Sequence, residues 1–329
     1  MLLRETGAIE SSPLEYCDVP DPQPGPRQVR VKITCCAICR TDLHVIEGDL
    51  PEQKRPIIPG HQIVGVVDQV GEQCNRLRLG DRVGVAWLRH TCGRCRYCWA
   101  GNENLCEHSR FTGYHEHGGY AEQIVVAEDF AYPIPEVFTD QQAAPLLCAG
   151  IIGYRALDRS NLRPGDKLGI YGFGSSAHVV IQIALHRDCQ VYVVTRGQKH
   201  IQLAREMGAT WAGETADEMP VKVDSGIVFA PAGELVPPAL KHLDKSGTLA
   251  LAGIYMSDIP ALNYEDTLFY ERDLRSVTAN TRRDGHALLK EAAEILIRPR
   301  ITTYPLADAN RALQDLKSDQ ISGTGLLLI

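Results

Sequence analysis

Aromatic residues are scarce in this 329-residue sequence, at 6%, with only 3 Trp and 6 Phe. A basic run is missing as well: 34 Lys plus Arg stand against 41 Asp plus Glu, a formal charge of −7. Nucleic-acid binding draws much of its affinity from cationic side chains on phosphates, so an acidic chain without a basic stripe argues against that partner. Long hydrophobic runs are absent too. The apolar stretches are too short and interrupted to cross a bilayer. Met1-Leu2-Leu3-Arg4-Glu5 shows no long apolar core behind a basic start, so no signal peptide is expected. No internal repeat, low-complexity segment or long linker is visible. What is there is an ordinary globular balance, 44% hydrophobic and 23% charged, at a length that allows roughly two domains. These features set the expectation of a cytoplasmic protein with no membrane partner.

Cysteine is the exception to this plainness. There are 11, an odd number, in a chain expected to be intracellular. Reduced compartments disfavour disulfide frameworks, so clustered cysteines point to metal or catalysis. Isolated ones such as Cys17, Cys74 and Cys189 read as small buried hydrophobes.

The rhythm of the chain changes midway. Val29-Arg30-Val31-Lys32-Ile33 alternates like a half-exposed strand, and Ile63 to Val70 and Arg82 to Ala86 give further short strands broken by glycines. After about residue 160, strand-like and helix-like segments alternate: Leu168 to Gly172, Ala177 to Leu185, Gln190 to Thr195, Lys199 to Met207, then on through Thr248 to Gly253. Such alternation implies βαβ units and a parallel sheet. Ala287 to Ile297 reads as a helix and Gly323 to Ile329 as a last strand.

Cys92-x2-Cys95-x2-Cys98-x7-Cys106 is the strongest local signal. Four thiolates on tight turns can enclose one Zn²⁺ tetrahedrally with no open position, a structural site that clamps a loop with little core of its own. An iron–sulfur cluster is the rival, but the bacterial ferredoxin run has a shorter last spacing followed by Pro. Plain buried cysteines are the third reading. A second set is scattered: Cys39 opens Cys39-Arg40-Thr41-Asp42-Leu43-His44, His61 lies in Gly60-His61-Gln62, and Cys148 lies in Leu147-Cys148-Ala149-Gly150. Each alone reads as an ordinary core or surface residue. Together they offer three ligands and leave a fourth position for water or substrate, the arrangement of a catalytic zinc. His115 and His117 form another close pair, read here as an ordinary loop.

Gly172-Phe173-Gly174-Ser175-Ser176-Ala177 follows a strand and opens a helix, the context that G-x-G-x-x-G/A requires for a dinucleotide pyrophosphate. The next strand ends in Thr195-Arg196-Gly197, without the acidic residue that bonds a ribose 2′-hydroxyl. A hydroxyl and a guanidinium suit a 2′-phosphate, so NADP(H) is favoured within an NAD(P)(H) reading, although this edge does not forbid NAD.

Taken together, these motifs resemble the zinc-dependent medium-chain alcohol dehydrogenase family, over essentially the whole chain. The resemblance implies an α/β fold: a GroES-like β-rich catalytic domain, 1–148 with 281–329 and a structural zinc lobe at about 90–108, and a Rossmann doubly wound parallel sheet, 149–280, with the active site in the cleft. It implies two Zn²⁺ per chain, one catalytic on Cys39, His61 and Cys148, one structural on Cys92, Cys95, Cys98 and Cys106. Asp42 resembles the carboxylate that orients the ligand imidazole. Thr41 and His44 resemble the relay that carries the alcohol proton away. Arg40 resembles a residue approaching the pyrophosphate, Gly253 is a further cofactor-binding candidate, and Trp87 and Leu88 resemble substrate-pocket walls. The implied reaction is hydride transfer between a primary or secondary alcohol, or its aldehyde or ketone, and NAD(P), in a homo-oligomer, tetramer or dimer. Two positions depart from the family: Gln62 replaces the usual Glu, and Ile152 a frequent Thr. The competing readings are a metal-free medium-chain quinone or enone reductase, whose hallmark would be missing ligands, and a non-enzymatic zinc-stabilised nucleotide-binding regulator.

Overall fold

A computed structural model of the chain describes residues 1–51, 54–321 and 323–329. The chain divides into two compact units, 1–148 with 279–329, and 149–278.

The first unit is built on a seven-stranded sheet. Its strands run in the order Ile301–Pro305, Thr324–Leu328, Gln28–Ala37, Gln62–Val70, Arg82–Val85 and Ala131–Pro133, while Gln123–Ala127 pairs separately with Gln28–Ala37. Pairing is antiparallel except between Ile301–Pro305 and Thr324–Leu328. Val29, Val31 and Ile33 are buried while Lys32 is exposed, so the alternation seen in the sequence is the pleat of a sheet with one face on the core. Leu88–His90 pairs with Arg110–Phe111, and this two-stranded ribbon brackets the four-cysteine segment.

In the second unit six parallel strands follow the order Trp211–Gly213, Gln190–Val194, Lys167–Tyr171, Val223–Val228, Leu243–Leu251 and Asp273–Ser276. Numbered within the unit this is 3-2-1-4-5-6, the doubly wound dinucleotide-binding order. Val191, Val193, Leu168 and Ile170 are wholly buried, as strands covered on both faces must be.

The helices Ala149–Arg159 and Ala309–Lys317 and the strand Ile301–Pro305 are among the elements the sequence reading does not name, although both helices carry an amphipathic pattern. The helix expected from Ala287 starts instead at Arg282, because Thr281 and Asp284 form a reciprocal N-terminal cap: Thr281 N–H donates to Asp284 Oδ2 at 2.7 Å and Asp284 N–H to Thr281 Oγ1 at 3.2 Å. All eleven cysteines are free. Among the described residues no helix is long and apolar enough to cross a membrane.

Candidate active site and metal centres

The first site starts from one capped helix. Cys39 is the extended residue before the helix Arg40–Glu47, and Asp42, three residues on, accepts its backbone N–H at 2.9 Å. That capture starts the helix and fixes Cys39 at its positive end, where a thiolate is favoured. The other oxygen of Asp42 faces Nδ1 of His61 at 3.0 Å. His61 immediately precedes the strand Gln62–Val70, and its Nε2 lies 3.4 Å from Cys39 Sγ and 3.3 Å from Cys148 Sγ. Cys148 follows the short 3-10 turn Ala144–Leu147. All three donor atoms lie within 4.8 Å of one another. The ring of Trp87 meets His61 edge-on at 4.9 Å and stacks on Phe111 and Tyr114.

Electrostatics set the character of this cluster. Cys39 is held well below the ordinary thiol range, first by hydrogen bonding from Cys148 and, against the cost of burial, by the charge of His61. Cys148 is correspondingly pushed well up, because a second thiolate beside the first is disfavoured and burial adds to it. Burial also works to lower His61, but the charges of Asp42 and Cys39 outweigh it and raise the imidazole to about 10. A buried group of two thiols and an imidazole needs a cation to be content with all three deprotonated. The residue after His61 adds to this polarity: Gln62 is fully buried, and neither atom of its amide has a hydrogen-bond partner among the described residues. Two sulfurs, one nitrogen and a carboxylate behind the imidazole fit a zinc ion with one position open.

The four-cysteine lobe is compact as well. The sulfurs of Cys92, Cys95, Cys98 and Cys106 lie within 4.8 Å of one another, and Cys106 Sγ accepts the backbone N–H of Cys92 at 3.3 Å. Backbone N–H groups, that of Arg94 foremost, lower Cys92 to about 6, whereas burial and the neighbouring thiols raise Cys98 to about 11. Four cysteines, with no carboxylate or imidazole joining their group among the described residues, suit a closed tetrahedral zinc.

Thr41 and His44 sit three residues apart on the same helix, and so on one face of it. Thr41 is buried; His44 is partly exposed, and its Nδ1 lies 2.8 Å from Asp49 Oδ2. Asp49 was missed from sequence. It reaches His44 because Gly48 ends the helix in a left-handed turn, with the Asp49 N–H on the His44 carbonyl. Arg40 is exposed and paired with Asp319 at 2.6 Å. Leu88 is fully buried in the apolar core. His115 and His117 do not join a donor cluster: their Nδ1 atoms accept the backbone N–H groups of Phe111 and Ile58, which makes them loop anchors. A cavity of about 990 Å³ in this unit, between Tyr16–Pro22 and the strand Gln123–Ala127, is lined by none of the candidate residues.

The glycine turn lies in the second unit. Gly172 has φ +95°, and a Cβ there would stand 2.8 Å from the Ala230 nitrogen, so both conformation and space require glycine. Gly174 caps the 12-residue helix Ser175–His186, and a Cβ there would meet nothing within 4 Å, which leaves the backbone open to a phosphate at the helix start. Ser175 and Ser176 form the first turn, and Ala177 is wholly buried against the sheet. Phe173 is turned inward, packed on His178, so only its backbone faces the turn. Thr195 is buried with its N–H on the Gly213 carbonyl, while Arg196 is 87% exposed. Gly253 lies two residues beyond the strand Leu243–Leu251. A second residue pair missed from sequence is Glu103 with Arg282, which joins the four-cysteine lobe to the helix Arg282–Ile295 through three side-chain contacts of 2.6, 3.0 and 3.1 Å and one backbone contact of 2.8 Å.

Residues 25–136 match the alcohol dehydrogenase GroES-like domain, and residues 177–294 match the zinc-binding dehydrogenase domain. The chain is 49% identical over 332 residues to a probable alcohol dehydrogenase, AdhA, of Mycobacterium tuberculosis, covering 99% of this chain and 96% of that one. Among solved structures, CAD from Helicobacter pylori complexed with NADP(H) superposes with a TM-score of 0.84 at 26% identity, covering 92% of this chain and 90% of that one. Acetophenone reductase from Geotrichum candidum, in complex with NAD, superposes with a TM-score of 0.87 at 25% identity, covering 97% and 94%.

Proposed function

The chain belongs to the zinc-dependent medium-chain alcohol dehydrogenase family, and from that premise we propose that it interconverts a primary or secondary alcohol and the matching aldehyde or ketone with NAD(P)(H), NADP(H) preferred. The first unit is then the catalytic domain and the second the cofactor-binding domain. Cys39, His61 and Cys148 would hold the catalytic zinc and the four-cysteine lobe a structural one, two per chain. Zinc bound in the first site supplies Lewis acidity toward the alcohol or carbonyl oxygen, and the nicotinamide supplies or takes up the hydride.

The chain's own residues do the rest. Asp42 keeps His61 oriented with Nε2 toward the sulfurs. Thr41 Oγ1 takes the alcohol proton and passes it on toward His44. The Asp49 carboxylate, 2.8 Å from Nδ1 of His44, orients that imidazole as the outer member of the relay. Gly172, Gly174 and the first turn of the helix Ser175–His186 receive the pyrophosphate, with Arg40 approaching it, while Thr195 and Arg196 take the adenosine ribose and its 2′-phosphate. Trp87 forms part of the substrate wall. A cytoplasmic setting would keep the thiols reduced. Exposed Ile254, Tyr255, Tyr264 and Phe269 in the second unit support self-association into a dimer or tetramer.

The observation that carries this reading is the convergence of Cys39, His61 and Cys148 from three segments. Cys39→Ser should abolish turnover while dinucleotide binding persists. Normal turnover by that variant after zinc depletion would overturn the assignment and favour a metal-free reductase.

A further inference from the structure

Arg196, Glu234 and Ser257 come together beyond the ends of three strands of the parallel sheet, two of which, Gln190–Val194 and Val223–Val228, flank Lys167–Tyr171. Arg196 follows Gln190–Val194, Glu234 lies in the turn after Val223–Val228, and Ser257 follows Leu243–Leu251. This is the carboxyl edge, where open α/β sheets bind their ligands. Arg196 Nη2 stands 3.6 Å from Glu234 Oε1. The carboxylate has a second tie, because Ser257 Oγ accepts the Gly233 N–H at 2.9 Å and faces Glu234 Oε2 at 3.5 Å. Glu234 thus has a second partner in Ser257, whereas Arg196, 87% exposed, is held by one long contact.

We propose that Glu234 is a specificity-determining residue that competes with the ribose 2′-phosphate for Arg196 and so shifts the site away from NADP(H) toward NAD(H). The inference rests on the reading of Thr195-Arg196 as the ribose edge. An exposed pair of this kind is weak, and a phosphate is the better partner for a guanidinium, so the exchange takes place. It leaves the Glu234 carboxylate, still partnered by Ser257, without its counter-charge near the incoming dianion, a cost that a neutral 2′-hydroxyl does not meet. Glu234 does not supply the acidic residue missing after Val194; it acts on the cation that stands there.

The test is direct binding of NADPH and NADH, each followed by nicotinamide fluorescence, to zinc-replete wild type, Glu234→Gln, Arg196→Ala and the double variant. At low ionic strength Glu234→Gln should tighten NADPH roughly three- to ten-fold and leave NADH within about twofold, and the gain should shrink at about 0.5 M salt. In the Arg196→Ala background the gain should vanish, as a coupled pair requires. If Arg196→Ala weakens NADPH but Glu234→Gln leaves it unmoved, the ribose reading stands and the competition is overturned. A gain that persists without Arg196, or a loss confined to NADH, also overturns it. If Arg196→Ala leaves NADPH binding unchanged, the ribose reading itself fails, and this inference with it.

Discussion

The carboxylate of Asp42 lies 3.0 Å from Nδ1 of His61, and the two side chains are almost wholly buried. The same carboxylate holds the backbone N–H of Cys39, so one side chain orients two of the three candidate zinc ligands. Asp42→Asn keeps the shape but removes the charge behind the imidazole. Zinc affinity of the catalytic site should fall roughly 10- to 100-fold, as measured by chelator competition, with the fold retained. Unchanged affinity would mean that Asp42 serves only the helix cap.

Metal content separates the two centres. The wild type should carry two zinc ions per chain, and Cys39→Ser and Cys98→Ser one each. Loss from the four-cysteine lobe should lower thermal stability by ~2 kcal/mol, roughly 4–8 °C, because the segment between Cys92 and Cys106 is closed largely by those thiolates. Elemental analysis together with calorimetry checks both points; a Cys98→Ser protein with two zinc ions removes the lobe from the assignment.

Glu103 gives a pH-dependent contribution to stability. Burial works to raise its carboxyl, but the hydrogen bonds and charge of Arg282 prevail and hold it below the ordinary value of 4.5. A folded-state pKa below the unfolded one stabilises fully above the unfolded value and is lost as the pH falls through the folded one. Glu103→Gln should therefore cost roughly 1–3 kcal/mol at neutral pH, and the difference from wild type should narrow below about pH 4.5. Urea unfolding of both proteins across that range is the measurement. A difference independent of pH would show that packing, not charge, is what Glu103 supplies.

Thr41 carries the first proton of the proposed relay. Thr41→Ala should lower kcat by about 100-fold or more, with zinc content and dinucleotide affinity unchanged, and Thr41→Ser should restore most of it. His44→Gln should be milder and respond to added imidazole, since the exposed end of a relay can be replaced from solution. Steady-state kinetics of the three variants, with and without imidazole, decides the order of the relay.

How much of this was visible beforehand follows from distance along the chain. The spacing of Cys92, Cys95, Cys98 and Cys106, the glycine turn at Gly172 with a strand before it and a helix after, and the run from Cys39 to His44 are local, and local spacing constrains where side chains can go. The parallel order of the second unit was foreshadowed by alternating strand and helix patterns. The helix start at Arg282 was not, because hydrophobic periodicity registers apolar residues, while the buried cap residues Thr281 and Asp284 are polar.

The sequence by itself determined the residue types: thiols and an imidazole for a metal, glycines for a pyrophosphate turn, a hydroxyl and a guanidinium where an acid would otherwise stand. Tertiary structure alone decided which of them meet. Cys39 and His61 are 22 residues apart, His61 and Cys148 87, Glu103 and Arg282 179, and each pair closes only when sheet register and chain crossing bring distant segments together. The same holds for Glu234 beside Arg196, two exposed charges whose separation depends on two parallel strands, either side of Lys167–Tyr171, ending at one edge. A contact between distant segments depends on the register of every strand between them, and no short stretch of sequence encodes that.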